Sequence, residues 1–150
     1  MKIPEEFKLS NEITDTDVIA AHSFISKTYW AKGISFETFK KAAENSVCFK
    51  ITKENLLVGF ARVITDKTTF AYLCDVFIKE EYRGKKLSIS LMEKIISHPD
   101  LQGLRRWTLA TSNAHGLYKK FGFKNLEKPE VYMELHNPDI YQKLNQTDKP

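Results

Sequence analysis

A chain of 150 residues, with 42% hydrophobic and 28% charged residues, has the composition of one globular domain and excludes an intrinsically disordered protein. Its formal net charge of +4 suits an anionic partner, but it is too small and too dispersed to indicate a nucleic acid partner. Because no long apolar run resembles a signal peptide or a membrane helix, we expect a cytoplasmic protein that has no membrane partner.

The first half of the chain predicts two helices followed by an antiparallel meander. Thr14 and Asp17 have the spacing of a capping box, and apolar residues at helical spacing extend the predicted first helix from Asp15 to about Tyr29. Ser35 is placed to cap a second helix. Apolar runs separated by short polar turns then predict three strands: Val47–Thr52, Leu56–Ile64 and Phe70–Ile78.

The second half predicts alternating helices and strands. A helix from about Leu87 to Ser97 is expected to end at His98–Pro99, since proline disfavours helical geometry in the residue before it. Gly122 is predicted to stop a short helix over Ala114–Phe121 as a left-handed cap. Two further strands are expected, Arg106–Ala110 and Val131–Leu135.

This order of elements predicts an α/β (α+β) fold in which helices flank a mixed central sheet. The strand, helix and strand that run from Phe70 to Arg106 require at least one parallel pair of strands. We expect one domain over residues 1–150, with its core at about 7–135 and a C-terminal tail over 136–150, frayed at Asn145–Pro150.

The two cysteines, Cys48 and Cys74, lie in apolar runs that are typical of strands. Buried reduced thiols are the interpretation that we favour over a disulfide. No pairing of cysteine with histidine has the spacing of a metal site, so we expect no bound metal.

The segment Arg83–Ser88 stands between the third predicted strand and the helix after it. A helix that begins there points unpaired backbone N–H groups and positive potential at one place, which stabilises a phosphate. The segment adds cationic side chains, and Gly84 permits a tight turn. Taken alone, the segment is equally compatible with a solvated surface corner.

Three motifs in order, on fitting elements, resemble the GNAT superfamily of acyl-CoA-dependent N-acyltransferases. They are Asp75–Ile78, Glu81–Gly84 and Gly116–Phe123, and the resemblance covers roughly Val47–Leu135. It implies a splayed pair of strands and acetyl-CoA as the acyl donor, whose pyrophosphate the turn wraps. It also implies a set of cofactor-binding residues: Val76, Phe77, Ile78, Arg83, Gly84, Lys85, Lys86, Leu87 and Ser88.

The turn departs from the family pattern at two positions. The family has Arg or Gln, two residues, Gly, one residue and then Gly or Ala, whereas Lys86 and Ser88 stand at the two small positions here. We expect Lys86 to take right-handed helical dihedrals and to direct its side chain outward. Ser88 is small and can donate a hydrogen bond.

The resemblance implies two catalytic residues, Tyr118 and Asp75, and an oxyanion donor. Tyr118 stands where the family has the acid that protonates the departing thiolate, with core packing as the alternative. The family often has asparagine where this chain has Thr111. The cofactor's pantetheine arm is expected to pair with backbone near Val76 and Ile78, and the N–H of Val76 to polarise the thioester carbonyl.

Asp75 is our candidate for the neighbourhood in which the substrate amine loses its proton, directly or through water. The strand around it resembles that of diamine acetyltransferases, in which an acidic residue meets the amine. A carboxylate inside Leu73–Phe77 is costly to bury alone. An ion pair with Arg62, Arg105 or Arg106 is therefore the alternative that stays open.

The aromatic residues of the first two helices lie where the family covers its acceptor site. For Trp30, Phe36 and Phe39 we favour core packing over an acceptor wall. The predicted function is an acetyl-CoA-dependent N-acetyltransferase that acts on a primary amine of a small molecule or peptide by direct attack in a ternary complex. A non-catalytic acyl-CoA-binding or sensing module is the alternative, and a homodimer is left open.

Overall fold

The computed structural model describes residues 3–147. The strands are β1 (Phe7–Ser10), β2 (Val47–Lys53), β3 (Leu56–Thr65), β4 (Phe70–Ile78) and β5 (Arg106–Leu109). The helices are α1 (Asp15–Ile25), α2 (Phe36–Glu44), α3 (Leu87–Ser97), α4 (His115–Lys119) and α5 (Ile140–Thr147). None of the helices in this part of the chain has the length and apolarity that crossing a membrane requires.

The strands form one mixed sheet in the order β1-β2-β3-β4-β5. Neighbours from β1 to β4 are antiparallel, and β4 pairs with β5 in parallel. Helix α3 makes the crossover between these last two strands. The predicted fold class, a mixed sheet flanked by helices with one parallel pair, is therefore confirmed.

Each face of the sheet carries its own apolar cluster, because successive strand side chains point to opposite faces. On one face α3 packs against the sheet, and Tyr118 joins this cluster. On the other face α1 and α2 pack against Phe60 and Phe77. We call these the α3 face and the α1–α2 face.

Local capping fixes where the first two helices begin. Thr14 and Asp17 form the predicted capping box, with bonds of 2.9 and 3.1 Å between side chain and backbone. Ser35 accepts the N–H of Thr38 at the start of α2. The predicted end of α1 at about Tyr29 is wrong, because the helix stops at Ile25. The hydroxyl of Thr28 donates to the carbonyl of Ile25 at 2.6 Å and turns the chain away.

The predicted strand Val131–Leu135 is wrong. A 3₁₀ turn covers Pro129–Val131, and the residues from Tyr132 to Leu135 are exposed and pair with no described strand. The apolar and polar residues alternate as in a strand, but alternation forms a strand only where an edge accepts it.

Two elements lie outside the sequence prediction. Strand β1 pairs with β2 at the edge of the sheet. Helix α5 covers Asn145–Thr147, which the sequence predicted as frayed tail, whereas residues 148–150 lie outside the described part of the chain. Asn145 ties this helix to the α1–α2 loop by donating to the carbonyl of Gly33 at 3.0 Å.

Candidate active site

Strands β4 and β5 separate halfway along β4. Their pairing runs from Phe70 beside Arg106 to Leu73 beside Leu109, where β5 ends. Strand β4 continues to Ile78, so among the described residues the edge of its second half has no strand partner on that side. This opening confirms the predicted splayed pair of strands. Backbone N–H and C=O groups along an unpaired edge are free to bind an extended ligand.

A β-bulge lies at the point where the strands separate. Phe60 pairs with Phe77 and Arg62 pairs with Cys74, so that two residues of β4, Asp75 and Val76, oppose Ala61 alone. Asp75 has a φ of 53°, a left-handed conformation that costs a non-glycine residue about 1–3 kcal/mol. Such a bulge redirects backbone and side chains next to a cleft.

The side chain of Asp75 is buried, and each of its two oxygens accepts a hydrogen bond. One carboxylate oxygen accepts Arg62 Nε at 2.8 Å, and the other accepts the indole N–H of Trp30 at 2.9 Å. Arg62 also donates to the hydroxyl of Ser46 at 3.1 Å. The structure thus shows the ion pair that the sequence left open, with Arg62 as the partner. This network explains how the strained conformation at the bulge persists.

The loop between α1 and α2 reaches the same place through two aromatic residues. Trp30 is 45% exposed and bonds to Asp75, so the expectation that it packs in the core is wrong. Tyr29 contacts Trp30 edge-to-face and shares a 3.1 Å hydrogen bond with Ser112 in the loop before α4. The loop therefore spans the opening between β4 and β5. In the sequence, the signal for this loop was the aromatic pair Tyr29–Trp30 a few residues before Gly33.

The other two aromatic residues of this region differ from Trp30. Phe39 is fully buried, as predicted, and packs against Phe60. Phe36 lies against the ring of His22 and is 37% exposed. Of these aromatic residues, Tyr29 and Trp30 bond to Ser112 and Asp75 beside the opening.

Tyr118 approaches from the opposite face of the sheet. It lies on the short helix α4, is 8% exposed and contacts Phe123 edge-to-face. Burial raises the pKa of its hydroxyl above the ordinary value. Among residues 3–147 no hydrogen bond joins Tyr118 to Asp75, which bonds instead to Arg62 and Trp30. Thr111 accepts the N–H of Ala114 and so shapes the turn into α4.

A small pocket of about 70 Å³ lies at the start of α3. This pocket is lined by most of the predicted cofactor-binding residues and by Tyr82. Lys85 is exposed beside it, whereas Phe77 is buried against Phe24 on the α1–α2 face. The residues that line this pocket are Ile78, Tyr82, Arg83, Gly84, Lys86, Leu87 and Ser88.

The turn that forms this pocket has the backbone of a phosphate site. Gly84 has a φ of 80° and open space where a Cβ would stand. Arg83 donates its Nε to the carbonyl of Ile78 at 2.9 Å, which fixes the turn to the end of β4. The first N–H groups of the eleven-residue helix α3 open at this place. The residues therefore fit a diphosphate, which needs N–H donors and cations at short range.

Lys86 does not take the right-handed dihedrals that we expected. Its φ of 60° and ψ of 25° are left-handed, and it stands at the N-cap of α3. The turn keeps the backbone shape that a glycine would give it, so the lysine has the strain of a Cβ in that region. Its side chain lines the pocket and brings a cation there.

Replacing Lys86 with glycine is expected to raise the free energy of unfolding by about 1 kcal/mol, because glycine adopts this backbone without strain. Urea denaturation measures the change. Lys85 is the matched control, since it has the same charge, is also exposed and lacks a positive φ. Lys85→Gly is expected to destabilise slightly, and equal effects of the two substitutions would contradict the strain.

The two cysteines are free, as predicted, but only Cys48 is buried, whereas Cys74 is half-buried. Burial raises the pKa of both Cys48 and Cys74 to about 12. The guanidinium of Arg62 lowers these pKa values by a smaller amount, and the negative charge of Asp75 raises them slightly. Both thiols are therefore protonated and weakly nucleophilic at neutral pH.

The comparisons agree with this geometry. The acetyltransferase (GNAT) domain model matches residues 10–135, and the chain belongs to that family. A Gibberella zeae protein assigned by name as an acetyltransferase is 27% identical, over 75% of each chain.

Solved structures show the same fold. A crystal structure assigned to an acetyltransferase of the GNAT family, from Xanthomonas campestris pv. campestris, is 42% identical, with a TM-score of 0.87 over 93% of this chain and 99% of that one. A Clostridium acetobutylicum structure solved with acetyl-CoA is 14% identical, with a TM-score of 0.63 over 87% of this chain and 94% of that one. That second likeness concerns the fold alone.

Proposed function

We propose that this protein is an acetyl-CoA-dependent N-acetyltransferase that acts on a primary amine of a small molecule or peptide. The observation that carries the proposal is the opening between β4 and β5, whose free strand half leads through a 3₁₀ turn over Glu80–Tyr82 into the Arg83–Ser88 turn. In this proposal Tyr118, which belongs to the cluster on the α3 face, and the Trp30 loop act from its two sides. A cytoplasmic location stays a prediction.

The cofactor residues divide into two groups. The N–H groups at the start of α3, with Arg83 and Lys86, hold the diphosphate, and the unpaired backbone of Val76 to Ile78 holds the pantetheine arm. Acetyl-CoA, when bound, supplies the thioester that the amine attacks. The N–H of Val76 would donate a hydrogen bond where negative charge develops, and Tyr118 Oη would supply the proton that the leaving sulfur takes up.

Direct attack in a ternary complex is favoured over an acetyl-enzyme. A covalent route needs a thiolate near the opening, and Cys74 precedes the bulge. Its pKa of about 12 leaves almost none of it ionised at neutral pH, because it is buried. The amine is therefore the nucleophile in this proposal.

Asp75 acts on the acceptor side of the opening. Both of its oxygens already accept hydrogen bonds, from Arg62 and from Trp30. In this arrangement the carboxylate would position Trp30, and the amine would release its proton through water to the bulk solvent. Asp75 thus serves the acceptor's neighbourhood, as the sequence suggested, and in this proposal it does so by positioning Trp30.

Two measurements test the proposed function. At about 100 times its Kd, acetyl-CoA is expected to stabilise the protein by about 2.7 kcal/mol, which a thermal shift detects. Thiol release in the presence of a broad panel of amines then reports turnover. The absence of any shift at saturating acetyl-CoA would contradict every acyl-CoA function for this chain.

A non-catalytic acyl-CoA-binding module is the second candidate. Lys86 favours it, because a strained lysine replaces the glycine of the family at the phosphate turn. It predicts a thermal shift with acetyl-CoA and no thiol release with any amine. Stabilisation with turnover would exclude it.

A further inference from the structure

Strand β4 presents apolar side chains on the α1–α2 face along its first half. Ala71 and Leu73 are buried in the cluster on the α3 face, so Phe70 and Tyr72, which alternate with them, point to the α1–α2 face. Ile64 of β3 pairs with Tyr72 and lies beside it on that face. Ile64 is 45% exposed, Phe70 is 40% exposed and Tyr72 is half-buried. We call Ile64, Phe70 and Tyr72 the apolar strip.

Helices α1 and α2 leave the apolar strip uncovered. Among residues 3–147, the buried cluster on this face contains Phe60 of β3 and Phe77 of β4 but none of the three strip residues. Single exposed apolar side chains are ordinary on a protein surface. Neighbouring ones that lie in register beside a cleft indicate a surface that binds a ligand.

The strip continues into the proposed active site. Tyr72 precedes Asp75 by roughly 10 Å along the strand. Burial raises the pKa of Tyr72 above its ordinary value, with smaller contributions from Cys74 and Asp75, whereas the charge of Arg62 lowers it. The hydroxyl of Tyr72 is therefore close to the buried ion pair, and Trp30 is bonded to Asp75 at the same end of the strip. An acceptor whose amine lies at the opening has its body over the strip.

The acidic side chains at the two ends of the strip are already engaged. Asp75 is paired with Arg62 at 2.8 Å. Asp66, in the turn before Phe70, accepts the hydroxyl of Thr69 at 2.6 Å and the N–H of Phe70 at 3.2 Å. The side chains of the strip between these ends carry no charge at neutral pH. A second ammonium group on the acceptor would lose water there without gaining a charged partner, whereas an apolar group would gain by the same burial.

The start of β5 adds a cation to the outer end of the strip. Arg106 pairs with Phe70 across the parallel strands and points to the same face, because its neighbour Trp107 packs on the α3 face. Its guanidinium is exposed and donates to the hydroxyl of Tyr132. This positive charge opposes a cation at the far end of an acceptor and leaves a neutral body as the better match.

We propose that the acceptor is an arylalkylamine, a primary amine joined by a short alkyl chain to an aromatic ring, and that the apolar strip binds this ring. Aromatic rings pack on one another edge-to-face or offset, and Phe70 and Tyr72 offer such partners. The strip residues are then specificity determinants, since they touch the body of the acceptor and leave the reacting atoms to other groups. The proposal rests on the proposed N-acetyltransferase function.

The first test compares two primary amines. The kcat/KM for 2-phenylethylamine is expected to exceed that for 1,4-diaminobutane by about 10-fold or more, because only the first buries an apolar body on the strip. Tyr72→Ala is expected to raise the KM for 2-phenylethylamine by about 10-fold and to leave the KM for acetyl-CoA unchanged. A preference for the diamine in wild type, or an equal rise in both KM values, would overturn the proposal.

The second test places a carboxylate in the strip. Ile64→Asp is expected to lower the ratio of the two kcat/KM values by about 10-fold, because aspartate binds the second ammonium group of the diamine and disfavours the ring. Since the two amines are compared within each variant, their different intrinsic reactivities cancel. Leu56→Asp is the matched control, because Leu56 is a 66% exposed side chain at the opposite end of β3. An unchanged ratio in Ile64→Asp, or the same fall in Leu56→Asp, would contradict the assignment.

A binding measurement separates this proposal from the proposed function. Protein saturated with coenzyme A is titrated with each amine in a calorimeter, which reports affinity without turnover. If no amine is acetylated, the proposed function fails, while tighter binding of 2-phenylethylamine than of 1,4-diaminobutane still supports the strip. Equal affinities, or no binding of 2-phenylethylamine, would overturn the strip as an acceptor site whether or not the protein is an enzyme.

Discussion

Asp75→Ala is expected to lower the free energy of unfolding by about 3–5 kcal/mol, because it leaves the buried guanidinium of Arg62 without its charged partner. The side chains of Arg62 and Asp75 are only 15% and 7% exposed, so water does not replace the lost contact. The indole N–H of Trp30 also loses its acceptor. Urea denaturation, followed by circular dichroism, measures the loss.

A double-variant cycle separates the lost pair from other effects of the substitution. Arg62→Met/Asp75→Leu removes both charges and is expected to be less destabilised than the sum of the single variants Arg62→Met and Asp75→Leu. Lys40→Ala is the matched control, because it breaks an exposed ion pair with Glu44. Such a pair contributes less than about 1 kcal/mol to the free energy of unfolding. Additive single effects would show that the ion pair does not couple these residues.

Tyr118→Phe is expected to lower kcat by about 100-fold while leaving the Kd of acetyl-CoA nearly unchanged, because it removes only the proton that the leaving sulfur receives. The phenylalanine ring keeps the contact with Phe123, so folding stability stays near that of wild type. Steady-state kinetics with an acceptor from the amine panel measures kcat, and calorimetry measures Kd.

The pH dependence gives a second readout for Tyr118. Burial raises the pKa of its hydroxyl above 10, so the group is protonated throughout the neutral range and its loss as an acid begins only at strongly alkaline pH. The wild-type rate therefore falls at alkaline pH, and Tyr118→Phe lacks that fall. Tyr141→Phe is the control, since Tyr141 packs with the α1–α2 cluster. If Tyr118→Phe keeps the wild-type rate, Tyr118 is a packing residue only.

The parts of the fold that local patterns determine could be predicted from the sequence. The capping box at Thr14 and the cap at Ser35 act within one helical turn, so neighbouring residues suffice to place them. The bounds of β4 and α3 also match the prediction, because each element coincides with an apolar run that ends at a turn or a proline. The pocket at Arg83–Ser88 lies where strand and helix were expected to meet.

Contacts between distant parts of the chain could not be predicted in this way. Trp30 and Asp75 are 45 residues apart, and no periodicity reports that one bonds to the other. The bulge at Asp75 depends on the register between β3 and β4, which tertiary packing sets. For Val131–Leu135 the pattern of a strand is present, but a pattern does not specify which edge will accept it.

The left-handed lysine at the start of α3 also bears on how this turn can change under selection. Lys86→Gly is expected to stabilise the fold, so a population selected for stability alone would replace the lysine. A residue retained against that gain belongs to the class of stability–activity trade-offs, in which function compensates for strain. In the proposed site that compensation is the cation in the diphosphate pocket. How often Lys86 is replaced during evolution therefore reports how strongly cofactor binding is selected.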